Sequence, residues 1–374
     1  MKGKSLYVHI PFCKQKCFYC DFPSFSGKET LIDDYLNSLE KEVDLRVGDT
    51  AINTIFIGGG TPTHLNLKEL IKLGDIIKKI NLKTGGEFTV ECNPGTLNEE
   101  KLKVLKDMGV NRLSIGLQAV QDRLLKEIGR IHSYGEFKEN FMLARKLGFN
   151  NINVDLMFAL PNQTLEDLDE TLKEIINLAP EHISCYSLIV EEETAFYKLF
   201  NDGNLNLPDE DLEREMYLRV LEILKQNGYH QYEISNFSKP RQECKHNIVY
   251  WSLDEYIGVG SGAHSYIDEK RISNYTSINK YIKLMKENGN AIEEVFENSI
   301  NDDMEEFMFM GLRKIDGINE EEFKERFKRD IHEVYGEVID LHIKNKLLIE
   351  EDKKLRLTCH GIEVSNYVMK DFIL

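Results

Sequence analysis

What this sequence lacks closes off several classes of function. No stretch of its 374 residues stays apolar long enough to span a membrane, which takes about 20 consecutive positions. Positive charge is in deficit: 47 Lys and Arg stand against 64 Asp and Glu, a formal net charge of −17. That balance argues against a nucleic-acid partner, because phosphate binding needs a basic footprint. The acidic excess is spread along helical segments such as Glu29–Val47 and Asp209–Lys225 and reads as a solvated face. Internal repeats and low-complexity linkers are absent too. The opening MKGKSLYVHIPF enters a strand-like pattern too soon for a secretory leader, so a cytoplasmic protein is expected. There the seven cysteines are not expected to pair as disulfides, and a cluster of them points to metal or redox chemistry.

What is present is a rhythm. Apolar, β-rich runs recur at Ser5–Phe12, Ile52–Gly58, Glu87–Cys92, Asn111–Gln118, Ile152–Leu160 and His182–Val190. Between them lie helical periodicities, among them Thr30–Val47, Leu67–Ile80, Phe137–Leu147 and Leu165–Leu178. Such alternation predicts a parallel α/β sheet. Residues two apart on a strand share a face. Leu6, Val8 and Ile10 therefore oppose Tyr7 and His9, and Phe88 and Val90 oppose Thr89 and Glu91. Leu113, Ile115 and Leu117 oppose Arg112, Ser114, Gly116 and Gln118, while Val154 and Leu156 oppose Asn153 and Asp155. A sheet covered on both faces should be apolar on both, so one polar face implies a cavity. The expected core is a partial (β/α)6 TIM-like barrel, open on one side, with its chemistry at the C-terminal strand ends. Beyond the helix Asp209–Lys225 comes a loop-rich stretch, Glu233–Ser273. From Ser299 onward two or three helices precede a strand–turn–strand over Lys346–Thr358, which suggests a smaller C-terminal α+β, winged-helix-like domain.

The strongest chemical signal is Cys13-x3-Cys17-x2-Cys20, placed directly after the first strand. Three thiolates this close suit an iron–sulfur cluster, and three ligands for a four-iron cluster would leave one iron open to a small molecule. The alternative is structural zinc on the three cysteines and His9. Gly58-Gly59-Gly60-Thr61-Pro62-Thr63 follows the second strand. It reads as a tight turn or as a cradle, offering backbone N–H groups to a carboxylate or carbonyls to an ammonium. Gly258–Ala263 spells G-x-G-x-x-A but lacks the βαβ setting of a dinucleotide site. His246-Asn247-Ile248-Val249-Tyr250-Trp251 joins an imidazole to the only tryptophan; His246 reads either as a heme-iron ligand or as a packed, hydrogen-bonded residue.

Taken in order, Tyr7-Val-His9-Ile-Pro-Phe-Cys13-x3-Cys17-x-Tyr19-Cys20, Gly58–Thr63, Glu91-Cys-Asn-Pro94, Arg112–Gln118, Asn153–Gln163 and His246–Trp251 resemble the radical-SAM superfamily. Within it they resemble the group that holds oxygen-independent coproporphyrinogen III oxidase and the HemW-type heme chaperones. The resemblance implies a [4Fe-4S] cluster on Cys13, Cys17 and Cys20. It also implies S-adenosylmethionine held by Tyr7, Tyr19, Gly59, Gly60, Thr61, Glu91, Gln118, Arg130 and Asp155. Three departures favour the chaperone side: Asp21-Phe22 where the oxidase has a further cysteine, a cluster loop close to Met1, and the HNxxYW signature. The implied cargo is heme, with His246 as candidate ligand, and the implied partners are acceptor hemoproteins such as respiratory-chain components, with any membrane association only through a partner. The rival is a radical enzyme acting on coproporphyrinogen III or another tetrapyrrole, so enzymatic activity stays open. The expected domains are a core over 1–235, a connecting region over 236–298 with the HNxxYW motif, and a HemN-type domain over 299–374.

Overall fold

The computed structural model describes residues 4–374, so the first three residues of the expected core domain lie outside it. The strands β1 (Lys4–Ile10), β2 (Ile52–Gly59), β3 (Leu82–Cys92), β4 (Arg112–Gln118), β5 (Ile152–Phe158) and β6 (His182–Ser187) lie side by side in chain order. All pairings among these six are parallel. The crossovers between them include the helices Ile32–Arg46, Leu67–Ile77, Glu99–Asp107, Tyr134–Lys146 and Leu165–Leu178. Three of these helices start at capping boxes, on Asn66, Ser133 and Thr164, which satisfy otherwise unpaired N–H groups and set where each helix begins.

The alternation reads out as expected. Leu6, Val8, Ile10, Val90, Leu113, Ile115, Leu117, Val154 and Leu156 are buried in one hydrophobic core against the helices. The opposite face carries Tyr7, Glu91, Arg112, Ser114, Asn153 and Asp155 and turns toward a cavity. The apolar stripe anchors the sheet to its helices, which leaves polar groups the interior of the curve.

The sheet is wider than the sequence pattern suggested. Its twelve strands run on past β6 through β8 (Asn236–Ser238) to β7 (His230–Glu233), and past β1 through β9 (Tyr256–Val259), β10 (His264–Ile267), β11 (Lys270–Asn274) and β12 (Ile292–Glu297). The Glu233–Ser273 stretch is therefore largely strand and helix rather than loop. Its strands are three to five residues long, too short to show periodicity. The G-x-G-x-x-A run crosses from β9 to β10, and packing explains its first glycine: a Cβ on Gly258 would lie 1.9 Å from the His264 carbonyl oxygen.

The C-terminal unit has its own core around Met304, Phe307, Phe323, Tyr335, Ile339 and Leu355, which also takes in Leu253 and Tyr266 from the preceding segment. Here β13 (Ile318–Asn319), β14 (Leu348–Glu351) and β15 (Lys354–Leu357) form a three-stranded sheet in the order β13-β15-β14. The chain does not finish on the hairpin: the short helices Cys359–Glu363 and Ser365–Lys370 follow and bury Val368 and Met369.

Two glycine substitutions should move stability in opposite directions. Gly258→Ala, which forces a methyl into the β10 backbone, should cost about 1–3 kcal/mol in urea unfolding. Gly336→Ala lies inside the helix Ile331–Lys344, where the nearest obstruction is 4.0 Å away, and should add about 0.5–1 kcal/mol. Equal effects at the two sites would contradict the packing described.

Candidate cofactor site

The loop that follows β1 carries Cys13, Cys17 and Cys20 to the C-terminal mouth of the strands, beside a cavity of about 490 Å³. Every position expected to contact S-adenosylmethionine lines this cavity except Tyr7. Tyr7 lines a second cavity of about 460 Å³, which shares Gly59, Glu91, Ser114 and Asp155 with the first. His246 also lies on the second cavity, with Tyr250, Tyr256 and His264. The two cavities are thus adjoining halves of one polar interior.

The thiols are held in place by neighbours. Cys13 Sγ lies 3.5 Å from Thr61 Oγ1, Cys20 Sγ 3.9 Å from Ser24 Oγ, and Arg130 Nη1 donates to Cys17 Sγ at 3.6 Å. Arg130 also donates to the Gly116 carbonyl and, at 2.9 Å, to Asn93 Oδ1. Asn93 in turn donates to Thr61 Oγ1 at 2.7 Å. Burial pushes the Cys13 and Cys20 thiols up from their ordinary range, so a cationic centre would be needed to hold them as thiolates. Among the described residues the one set of three ligand atoms mutually within 4.8 Å is Glu320, His332 and Glu350, so the thiol sulfurs are spread more widely than a single ion's shell. That spacing fits a multi-iron cluster better than one zinc ion. His9 does not complete a zinc site. Its Nε2 donates to the Pro23 carbonyl and its Nδ1 accepts from the Tyr7 hydroxyl, both at 2.9 Å.

The glycine turn is both tight and cavity-lining, but not as an anion cradle. Gly59 N–H donates to Glu91 Oε2, Gly60 N–H to the Ile10 carbonyl and Thr61 N–H to the Phe12 carbonyl, so the N–H option is closed and the carbonyls remain. Gly59 has φ +107°, and a Cβ there would lie 2.4 Å from the His9 ring. Only glycine fits that position.

Two of the carboxylates that face the ligand space, Glu91 and Asp155, stand on the strands themselves. Glu91 is pushed up to about 7, chiefly by burial and then by Asp155. Burial also raises Asp155, against hydrogen bonds from Asn153 and Ser114. Both are poised to accept hydrogen bonds from a cationic or hydroxyl-bearing ligand. Gln118, at φ +73°, ends β4 in a strained conformation with its buried Oε1 unpartnered among the described residues, which is how a residue held for a ligand looks.

His246 is a packed residue as it stands. Thr54 Oγ1 donates to Ser5, so His246 Nδ1–H donates to Thr54 at 2.7 Å, and Nε2 accepts from the Tyr250 hydroxyl at 2.9 Å. The ring stacks on Phe56, and burial lowers its pKa to about 3. The short helix Lys245–Trp251 is docked by the Glu87 carboxylate, which accepts the N–H groups of Lys245 and His246 at 3.0 Å each. Trp251 is turned away from the larger cavities and packs against the Arg313 guanidinium, 4.6 Å from its ring. Asn93, Ser184 and Tyr186 also line the interior, and the sequence reading assigned none of them. The two-residue alternation of β6 held the signal for Ser184 and Tyr186.

This arrangement has counterparts. Residues 7–175 match the Radical SAM superfamily and residues 299–364 the HemN C-terminal domain. Two curated relatives run the length of the chain: the heme chaperone HemW of Bacillus subtilis, 43% identical over 99% of both chains, and that of Lactococcus lactis, 40% identical over 100% of this chain and 98% of that one. A solved structure of coproporphyrinogen III oxidase (HemN) from Escherichia coli shares the fold, with a TM-score of 0.87 at 22% identity over 99% of this chain and 90% of that one. The chain belongs to the HemW family of radical-SAM proteins, a superfamily that implies a [4Fe-4S] cluster and S-adenosylmethionine.

Anaerobically purified protein should be brown and carry about four irons per chain. Replacing Cys13, Cys17 and Cys20 together by Ala should abolish both colour and iron, since the remaining cysteines are isolated from this loop in sequence. An iron-replete triple variant would refute the thiol assignment. Gln118→Ala and Asp155→Ala should keep the iron but weaken S-adenosylmethionine binding by about 1–3 kcal/mol in equilibrium titrations. Unchanged affinity in both would show that the inner strand face does not bind the cofactor.

Proposed function

We propose that the protein is a heme chaperone: it binds heme in the second cavity and passes it to acceptor hemoproteins in the cytoplasm, respiratory-chain components among them. The observation that carries this reading is the second cavity itself. At about 460 Å³ it falls within the range of cofactor pockets, it is lined by Phe22, Phe56, Tyr250 and Tyr256 among polar groups, and it adjoins the thiol-bearing cavity. When bound, a [4Fe-4S] cluster with S-adenosylmethionine supplies one-electron chemistry that side chains lack. Around it Cys13, Cys17 and Cys20 would ligate iron, and Arg130 would offset thiolate charge at Cys17. Glu91, Gln118 and Asp155 would orient the cofactor. No described helix is long and apolar enough to cross a membrane, so delivery to a membrane-bound acceptor would run through protein contacts.

Two imidazoles on the second cavity are candidates for the heme iron. His246, the residue expected from the sequence, can serve only after the Tyr250 hydroxyl releases Nε2. The ring of His264, at the start of β10, makes no hydrogen bond with a described residue. Partial desolvation and then Arg271 lower its pKa, which favours the neutral, ligating form.

The isolated protein should bind about one heme per chain in an absorbance titration. His264→Ala should shift the ligand-field bands, whereas His246→Ala should weaken binding through loss of the cavity wall, with thermal unfolding run in parallel. Wild-type spectra in both single variants and in the double variant would remove histidine ligation here. Failure to bind heme, joined to anaerobic conversion of coproporphyrinogen III, would overturn the chaperone reading in favour of the radical enzyme.

A further inference from the structure

Arg112 is the most unusual side chain in the interior. It is only 2% exposed, sits on the inner face of β4, and among the described residues is the only lysine or arginine lining the second cavity. Its guanidinium makes no hydrogen bond or ion pair with any described residue, and its Nε is buried without a partner. The neighbouring carboxylates are committed elsewhere. Glu87 accepts from Cys244, Lys245 and His246, and Asp155 accepts from Ser114 and Asn153. Glu87 and Asp155 sustain the arginine's charge through space against the penalty of burial, but they leave its donors unfilled. Buried donors without acceptors are costly, and a planar guanidinium fork matches a carboxylate in two parallel hydrogen bonds.

We propose that Arg112 is a carboxylate-recognition residue that grips a propionate of the tetrapyrrole in the second cavity; this rests on the heme-binding reading above. The same chemistry would suit the carboxylate of S-adenosylmethionine, but Arg112 does not line the cavity that holds the thiols. The propionate is the carboxylate that reaches this wall.

The test compares heme with heme dimethyl ester, in which both propionates are blocked, on the full-length protein by absorbance titration. Wild-type protein should bind the ester roughly ten- to a hundredfold more weakly than heme. Arg112→Gln should bind heme and ester alike, near the wild-type affinity for the ester. Equal wild-type affinity for heme and ester would overturn the proposal while leaving the heme reading intact, and this arm needs no folded variant. An Arg112→Gln protein that discriminates as before but loses S-adenosylmethionine binding would assign the arginine to the other cavity and overturn it too. No heme binding by the wild type would remove the heme reading and the proposal together.

Discussion

The interior of this protein depends on guanidinium groups placed among carboxylates and thiols that burial would otherwise make intolerable. Glu87, Glu91 and Asp155 lie on or beside the inner face of the sheet, and each loses water there. An isolated buried carboxylate neutralises rather than persists. Arg112 works against that for Glu91 and Asp155, while Arg130 donates to Cys17 Sγ. Glu91 is still pushed up to about 7, so the compensation is partial. A cavity built this way has a polar interior without being charge-neutral at every point, which suits the capture of charged ligands.

The same strands divide the interior into two compartments with a common wall. Gly59, Glu91, Ser114 and Asp155 face both. On one side the thiol loop is fastened by Arg130, Asn93 and Thr61. On the other, the helix Lys245–Trp251 is fastened by Glu87 and Thr54. A group bound in one compartment is therefore one side chain away from a group bound in the other.

The segment between core and C-terminal unit takes part in both. Its strands extend the main sheet beside β1, while Leu253 and Tyr266 belong to the second hydrophobic core. Tyr266 donates to Asp303 at 2.7 Å, and Ile234 and Ile315 exchange backbone hydrogen bonds with Arg313 and Tyr232. The C-terminal unit is thus joined to the edges of the sheet through polar and apolar contacts alike.

By itself the sequence determined the six-strand parallel core, which strand residues face inward, and the thiol loop at the mouth. These are local properties: alternation decides a strand's faces, and three cysteines eight residues from end to end share one loop. It also determined that the inner face is polar, since Arg112, Asn153 and Asp155 alternate with apolar neighbours. Only the tertiary structure decided what those polar groups touch. From sequence His246 read as a candidate heme ligand and His9 only as part of a zinc alternative; in the fold Thr54, Tyr250, Pro23 and Tyr7 hydrogen-bond their nitrogens, and those partners come from distant or alternate positions. Whether Arg112 is paired was equally invisible, because its possible partners lie on other strands and helices. The short outer strands were missed for a related reason: three to six residues carry too little pattern, and their identity comes from pairing with a sheet already formed.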